Sequence, residues 1–161
     1  MATADQAGEV LSVLDEAAAW LQAKGVDQWP ARFEMSWITG AIRRRETRLV
    51  LVGGVVAATV TLDRADALWG DLPGAAGYVH RLAVRRWASG LGGVVLDWAV
   101  DSVRDKGGEA LRLDCVATNA RLREYYETVG FEHRGDLRVA TAGPSGPSAV
   151  VVSRYELRLT A

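Results

Sequence analysis

The sequence predicts an α/β fold, a mixed β-sheet with helices on both faces. Apolar residues recur at helical spacing in four stretches and in strand-like runs in six others. The order reads ααββ, then βαβ, then αββ. The central strand–helix–strand unit implies a right-handed parallel crossover, and hairpins flank it. The 161 residues, 17.3 kDa in all, fit one domain spanning 1–161, since single domains run ~100–200 residues. No repeat or linker divides the chain.

Each element has its own signal. In residues 9–24, Val10, Leu14, Ala17 and Leu21 share one face, and Gly25 is placed to end the helix. Residues 27–30 form a break. Pro30 is expected in the first turn of a second helix, whose stripe is Phe33, Trp37, Ile38, Ala41 and Ile42. Residues 48–52 and 55–62 are β-type runs around Gly53-Gly54, a tight hairpin. Residues 63–76 read as a loop and 78–84 as a strand.

From Leu91 the period becomes helical through Val94, Val95, Trp98, Ala99 and Val103, and Gly107-Gly108 ends it. Residues 110–116 alternate, with Leu111, Leu113 and Cys115 on one face. Asn119 is a natural N-cap for a helix bearing Leu122, Tyr125, Tyr126 and Val129. Gly130 stops that helix. Residues 131–140 and 149–159 read as strands. Residues 141–148, rich in Gly, Pro and Ser, are expected to be a mobile loop.

Composition narrows the function. Lys+Arg total 19 and Asp+Glu 20, a net charge of -1. A phosphate-backbone binder is usually clearly basic, so nucleic acid is not the expected partner. One cysteine excludes an internal disulfide and a multi-cysteine zinc site, and two histidines argue against a His-rich metal centre. No apolar run reaches ~18 residues, so no membrane helix is expected. The first ten residues lack a basic segment followed by an apolar core, so they do not read as a signal peptide. The cytoplasm is the default compartment.

The stretch 78–130 carries the chemistry. A strand feeds Ser89-Gly90-Leu91-Gly92-Gly93, which opens a helix. Glycines let a ligand approach the backbone, and the helix's free N–H groups suit phosphate. A Rossmann fingerprint would need a third glycine where Val95 stands, although Asp114 does lie on the next strand. A nucleotide-binding oxidoreductase is therefore the weaker reading. No Walker A Gly-Lys-Ser/Thr follows.

The run Leu82-Ala83-Val84-Arg85-Arg86-Trp87-Ala88-Ser89-Gly90-Leu91-Gly92, followed by Val95-Leu96, resembles the acyl-CoA pyrophosphate loop of the GNAT superfamily of N-acyltransferases. The run from Asn119 through Tyr125-Tyr126 to Gly130-Phe131 is similar to that superfamily's second signature. Element order agrees along nearly the whole chain. One departure concerns the loop's first position. The family loop reads Q/R-x-x-G-x-G/A, and Trp87 stands first here, with the arginines at 85 and 86. Which side chain meets the pyrophosphate is thus left open.

The resemblance implies a GNAT fold whose sheet splays centrally between 78–84 and 110–116, with acetyl-CoA wedged there and no metal. It implies cofactor contacts from Leu82, Ala83, Val84, Ser89, Gly90, Leu91, Gly92, Gly93, Asn119 and Tyr126. A bulge near Leu82 would free a backbone N–H for the thioester oxygen. Tyr126 would protonate the leaving thiolate; a phenol of pKa ~10 needs no large tuning for that task. Asn119 would contact the pantetheine arm, cap its helix, or both. The implied reaction is N-acetylation of a small-molecule amine by a monomer or homodimer. A non-catalytic acyl-CoA sensor on the same fold is the competing reading, which the retained Tyr126 disfavours.

His80 shares strand parity with Leu82 and Val84, which would turn it toward the site as a base, or toward Asp114 as a hydrogen-bond partner. Cys115 is expected to be a buried apolar residue. Trp29, Phe33, Trp37 and Trp69 fall where the family places its acceptor site. With Asp63, Asp71 and Glu34 they would suit an amine with an aromatic or apolar body. Packing of the first helices would produce the same aromatics.

Overall fold

The computed structural model describes residues 1–143 and 146–159. Helix α1 (Ala7–Ala23) ends at Lys24, and Gly25 takes φ +70, the left-handed stop its position predicts. Helix α2 (Met35–Arg43) does not begin near Pro30. Glu34 is its N-cap, and residues 27–34 stay irregular. The Phe33 amide donates to Asp15 Oδ1 of α1 at 2.9 Å, and this tie takes Phe33 out of the helical ladder.

Strands β1 (Thr47–Val52) and β2 (Val55–Asp63) form the expected hairpin. Gly53 and Gly54 have φ +57 and +81, so both turn positions need glycine. Strand β3 (Ala76–Val84), helix α3 (Leu91–Arg104) and strand β4 (Ala110–Val116) make the crossover. Helix α4 (Ala120–Thr128), strand β5 (Glu132–Gly143) and strand β6 (Gly146–Arg158) follow. The expected loop at 141–148 is strand instead on both described sides, since Thr141 pairs with Ser148 and Gly143 with Gly146. The hairpin ladder satisfies backbone groups that Gly and Pro content alone would leave to solvent. Residues 144 and 145 of that expected loop lie outside the described residues.

The sheet order is β1-β2-β3-β4-β6-β5, and β3–β4 is its parallel pair. Helices α1 and α2 cover one face, where Val10, Leu14, Ile38 and Ile42 pack with Leu49 and Ala83. Helices α3 and α4 cover the other, where Val95, Ala99, Tyr126 and Phe131 pack with Val60, Leu111, Leu113 and Tyr155. Gly77 and Gly108 let Val103 of α3 sit directly on β3; a Cβ on either glycine would clash with it. No helix among the described residues is long and apolar enough to cross a membrane.

Candidate active site

The seam between β3 and β4 opens. Its register runs only from Ala76↔Ala110 to Tyr78↔Arg112. Beyond that, β3 stays paired to β2 through Val84↔Ala58, and β4 stays paired to β6 through Val116↔Val152. Two half-sheets therefore diverge from one hinge and leave a wedge between Val79–Val84 and Leu113–Val116.

A bulge accompanies the split. Thr59 pairs with Ala83 and Thr61 with His80, so Val60 faces both Arg81 and Leu82. Arg81 has φ +50, uncommon for a non-glycine residue. Bulges add twist and leave a residue outside the ladder. Here the bulge also resets the strand's alternation. Leu82 and Val84 return to the α3 side with Val79. His80 faces the opposite side, so the parity inferred from an unbroken strand does not hold.

On the α3 side, the glycine-rich turn leads straight into the helix. Gly90 is the N-cap with φ +101, and neither a capping side chain nor an acidic first-turn residue is present. The first amides of α3 are therefore uncapped donors at the positive end of the helix dipole. Around Gly92 and Gly93, the one atom within 4 Å of an added Cβ is the Tyr125 hydroxyl, at 3.8 and 3.9 Å. The turn has room for a ligand's phosphates to approach its backbone.

Tyr126 is buried, 8% exposed, against Phe131, Tyr155 and Tyr125. Burial, then the neighbouring Cys115 and Asp114, pushes its hydroxyl well above the ordinary phenol range. The expectation of an untuned phenol is thus corrected. The environment holds the proton on Tyr126 more firmly. Cys115 is fully buried, and burial pushes its thiol up to about 12. Asn119 caps α4, accepting from Leu122 N at 3.3 Å. Its Nδ2 donates to Gln28 Oε1 at 3.2 Å, and the same oxygen accepts the Val116 amide at 3.0 Å. Gln28 thereby ties the segment between α1 and α2 to the wide end of the wedge. Nothing in the sequence marked it, because a glutamine in a chain break carries no pattern.

On the other face, His80 and Asp114 are the same-face positions just beyond the last paired residues, Tyr78 and Arg112. His80 Nε2 lies 3.4 Å from both Asp63 Oδ2 and Asp66 Oδ2, its nearest carboxylates. Asp114 joins them as a third carboxylate rather than as a dedicated hydrogen-bond partner. Ligating atoms of Asp66, His80 and Asp114 all lie within 4.8 Å of one another. Burial and the nearby Glu46 carboxyl push Asp63 up to about 6. Burial, and then Asp66, raise Asp114, while His80 pulls it down. This half-buried group favours taking up a proton or a cation.

The aromatic group separates into two. Trp29 and Phe33 meet edge to face at 5.4 Å, and Phe33 and Trp37 at 6.1 Å. Phe33 is buried, Trp29 half-buried and Trp37 44% exposed. Trp69 is elsewhere and is 2% exposed, so it does not line a pocket. The Arg112 and Arg154 guanidiniums each lie 5.2 Å from its ring, and Tyr78 stacks at 6.3 Å. Trp69 is the fastener of the 63–76 loop. Asp71 is paired with Arg154, and Glu34 is an exposed N-cap. Of the three acids expected beside the aromatics, only Asp63 joins His80. A depression of about 270 Å³ beside Ala76, Tyr78 and Lys106 lies at the paired end of β3, away from the wedge.

Comparison with known proteins gives consistent results. The Acetyltransferase (GNAT) family model matches residues 14–131. Over 142 residues the chain is 34% identical to YesJ of Bacillus subtilis (strain 168), an uncharacterized N-acetyltransferase, covering 81% of this chain and 79% of YesJ. A GNAT-family acetyltransferase structure from Listeria monocytogenes 4b F2365 has TM-score 0.78 at 24% identity, covering 98% of this chain and 92% of that one. The yncA structure from Salmonella typhimurium, solved with its cofactor acetyl-CoA, has TM-score 0.68 at 14% identity, covering 99% and 92%.

Proposed function

The chain belongs to the Acetyltransferase (GNAT) family, and from that premise we propose that it moves the acetyl group of acetyl-CoA onto a primary amine of a small molecule, as one catalytic domain spanning 1–161 in the cytoplasm. The observation that carries this reading is the open β3–β4 seam, with an uncapped glycine-rich helix start on one side and a bulge at Arg81–Leu82 within it.

The residues present fit the cofactor. The backbone of Ser89, Gly90, Leu91, Gly92 and Gly93 would hold its diphosphate, since no side chain crowds the turn except the Tyr125 hydroxyl. Leu82, Ala83 and Val84 would hold the pantetheine arm along the free edge of β3. Asn119, bonded to Gln28 and to its own helix, supports the opposite wall rather than offering a free amide. Bound acetyl-CoA would supply an activated thioester as the acetyl donor to a neutral amine, with CoA thiolate as the leaving group.

Three groups of this chain act on that chemistry. The Leu82 backbone N–H, in the bulge, donates where negative charge develops. Tyr126 Oη keeps its proton at working pH and would hydrogen-bond to, and hand that proton to, the thiolate sulfur as its bond to the acetyl carbon breaks. His80 Nε2, flanked by Asp63 and Asp66, accepts the proton that an ammonium must lose, and the surrounding carboxylates attract that ammonium. The half-exposed Trp29 and Trp37 offer an apolar wall for the acceptor body.

The test is thermal shift with acetyl-CoA, CoA and NADH, followed by thiol release over an amine panel. Stabilisation by acetyl-CoA of ~2.7 kcal/mol is expected at 100 times the dissociation constant. A shift with NADH and none with acetyl-CoA would reject the reading.

A further inference from the structure

We propose that the Tyr125 hydroxyl, the side-chain atom nearest Gly92 and Gly93, completes the cradle for the cofactor diphosphate; this rests on the acyl-CoA reading above. Arg85 is fully committed. Its Nη1 donates to Glu16 Oε2 at 2.7 Å, its Nη2 to Ser12 Oγ at 3.0 Å and its Nε to the Val56 carbonyl at 3.1 Å. Arg86 lies 4.1 Å over the Trp20 ring, and its amide donates to Glu16 Oε1 at 3.3 Å. Arg85 is thereby fastened to α1 and β2, and the Arg86 guanidinium is turned onto Trp20 of α1. Trp87 is 55% exposed and brings no charge.

Tyr125 approaches from the other wall of the groove. It follows Glu124 on α4, and its ring packs at 5.8 Å, tilted by 52°, against the buried Tyr126. The phenol oxygen sits beside both Gly92 and Gly93. The residue is 37% exposed, and its hydroxyl oxygen is the atom that reaches the glycine turn. Consecutive helical residues point ~100° apart. The pair Tyr125-Tyr126 thus divides its work: Tyr126 turns inward against β4, and Tyr125 turns toward the first turn of α3. A neutral donor there adds a directed O–H to the uncapped amides of 91–94, without the desolvation cost of a guanidinium.

The experiment is titration calorimetry of CoA with the wild type and Tyr125→Phe, alongside melting temperature and turnover with S-acetylpantetheine, a donor lacking the diphosphate. Removing a hydrogen bond to a charged group should weaken CoA binding about tenfold. The melting temperature should be unchanged, and kcat/KM for S-acetylpantetheine should stay within about twofold of the wild type. Unchanged CoA affinity in Tyr125→Phe overturns the proposal alone. So does an equal loss with S-acetylpantetheine, because the hydroxyl would then serve the pantetheine arm or the thioester. Absence of CoA binding by the wild type overturns the acyl-CoA reading and this proposal with it.

Discussion

The Tyr126 ring lies 5.8 Å from the Tyr155 ring at an interplanar angle of 50°. Tyr155 in turn donates to Glu127 at 2.9 Å and accepts from Arg123 Nε at 3.1 Å. The phenol proposed to act on the leaving group is therefore braced by a fully buried neighbour that is itself bonded twice to α4. Tyr126→Phe keeps that packing and removes only the hydroxyl. We expect kcat to fall ~10²–10⁴-fold with acetyl-CoA affinity nearly unchanged. Because burial raises the Tyr126 pKa, the wild-type rate should show no loss from Tyr126 ionisation as pH rises to about 10. Full activity in Tyr126→Phe with loss in Tyr125→Phe would exchange the two roles.

Trp69 should behave as a core residue. The Arg112 and Arg154 guanidiniums both lie 5.2 Å from its ring, and Arg112 also donates to the Leu72 and Pro73 carbonyls at 3.2 and 2.8 Å. Trp69→Ala removes the ring that both guanidiniums cover and leaves a cavity under the 63–76 loop. Urea denaturation should show a loss of ~3–5 kcal/mol. CoA affinity measured on the folded variant should stay within about threefold of the wild type. A loss under ~1 kcal/mol would show that the loop is held by other contacts.

Much of this was legible in the chain. Period, glycine stops and the Asn119 cap located the helices, and the paired runs 82–96 and 119–131 pointed to the wedge. What escaped was set by partners far along the chain. Trp69 lies in a stretch that reads as loop, and the arginines that bury it stand on β4 and β6. The bulge at Arg81–Leu82 was implied by the family resemblance but has no composition signal of its own, and strict alternation that ignores it turns His80 to the same side as Leu82 and Val84. Pro30 resembled a helix start because the bond from Phe33 to Asp15 is a tertiary contact. Asp66 carries no sequence signal for the same reason: only the fold brings it to His80.

Asp63 should impose a pH dependence on stability. Its folded pKa is about 6, against an ordinary aspartate near ~3.9. The folded state therefore binds this proton more tightly than the unfolded chain does. Its contribution is fully present below pH ~4 and is lost as pH rises through about 6. Asp63→Asn removes that titration. Plotted against pH, variant stability minus wild-type stability should rise between pH 4 and 6 and level off above. A flat difference across that window would mean that the proton is not held on Asp63.

His80 is the sharper question, because its position allows both a chemical and a structural role. Its imidazole lies between Asp63 and Asp66 at 3.4 Å from each, and Asp114 stands across the open seam. A purely structural histidine would bridge these carboxylates and act through stability. A proton acceptor would act through the rate. His80→Gln keeps a hydrogen-bonding side chain of similar reach but cannot carry a proton between pH 5 and 9. If His80 accepts the proton of the incoming ammonium, kcat/KM for the acceptor should fall ~10²-fold or more. The acid limb should shift to the pH range in which the free amine itself loses its proton, and CoA affinity should be unchanged. The carboxylates remain in the variant, so acceptor attraction survives while deprotonation is lost. Supplying the amine at a pH where more of it is already neutral should then recover part of the rate. If the variant instead loses melting temperature and keeps the wild-type acid limb, His80 is a bridge, and the acceptor must lose its proton to water before it enters.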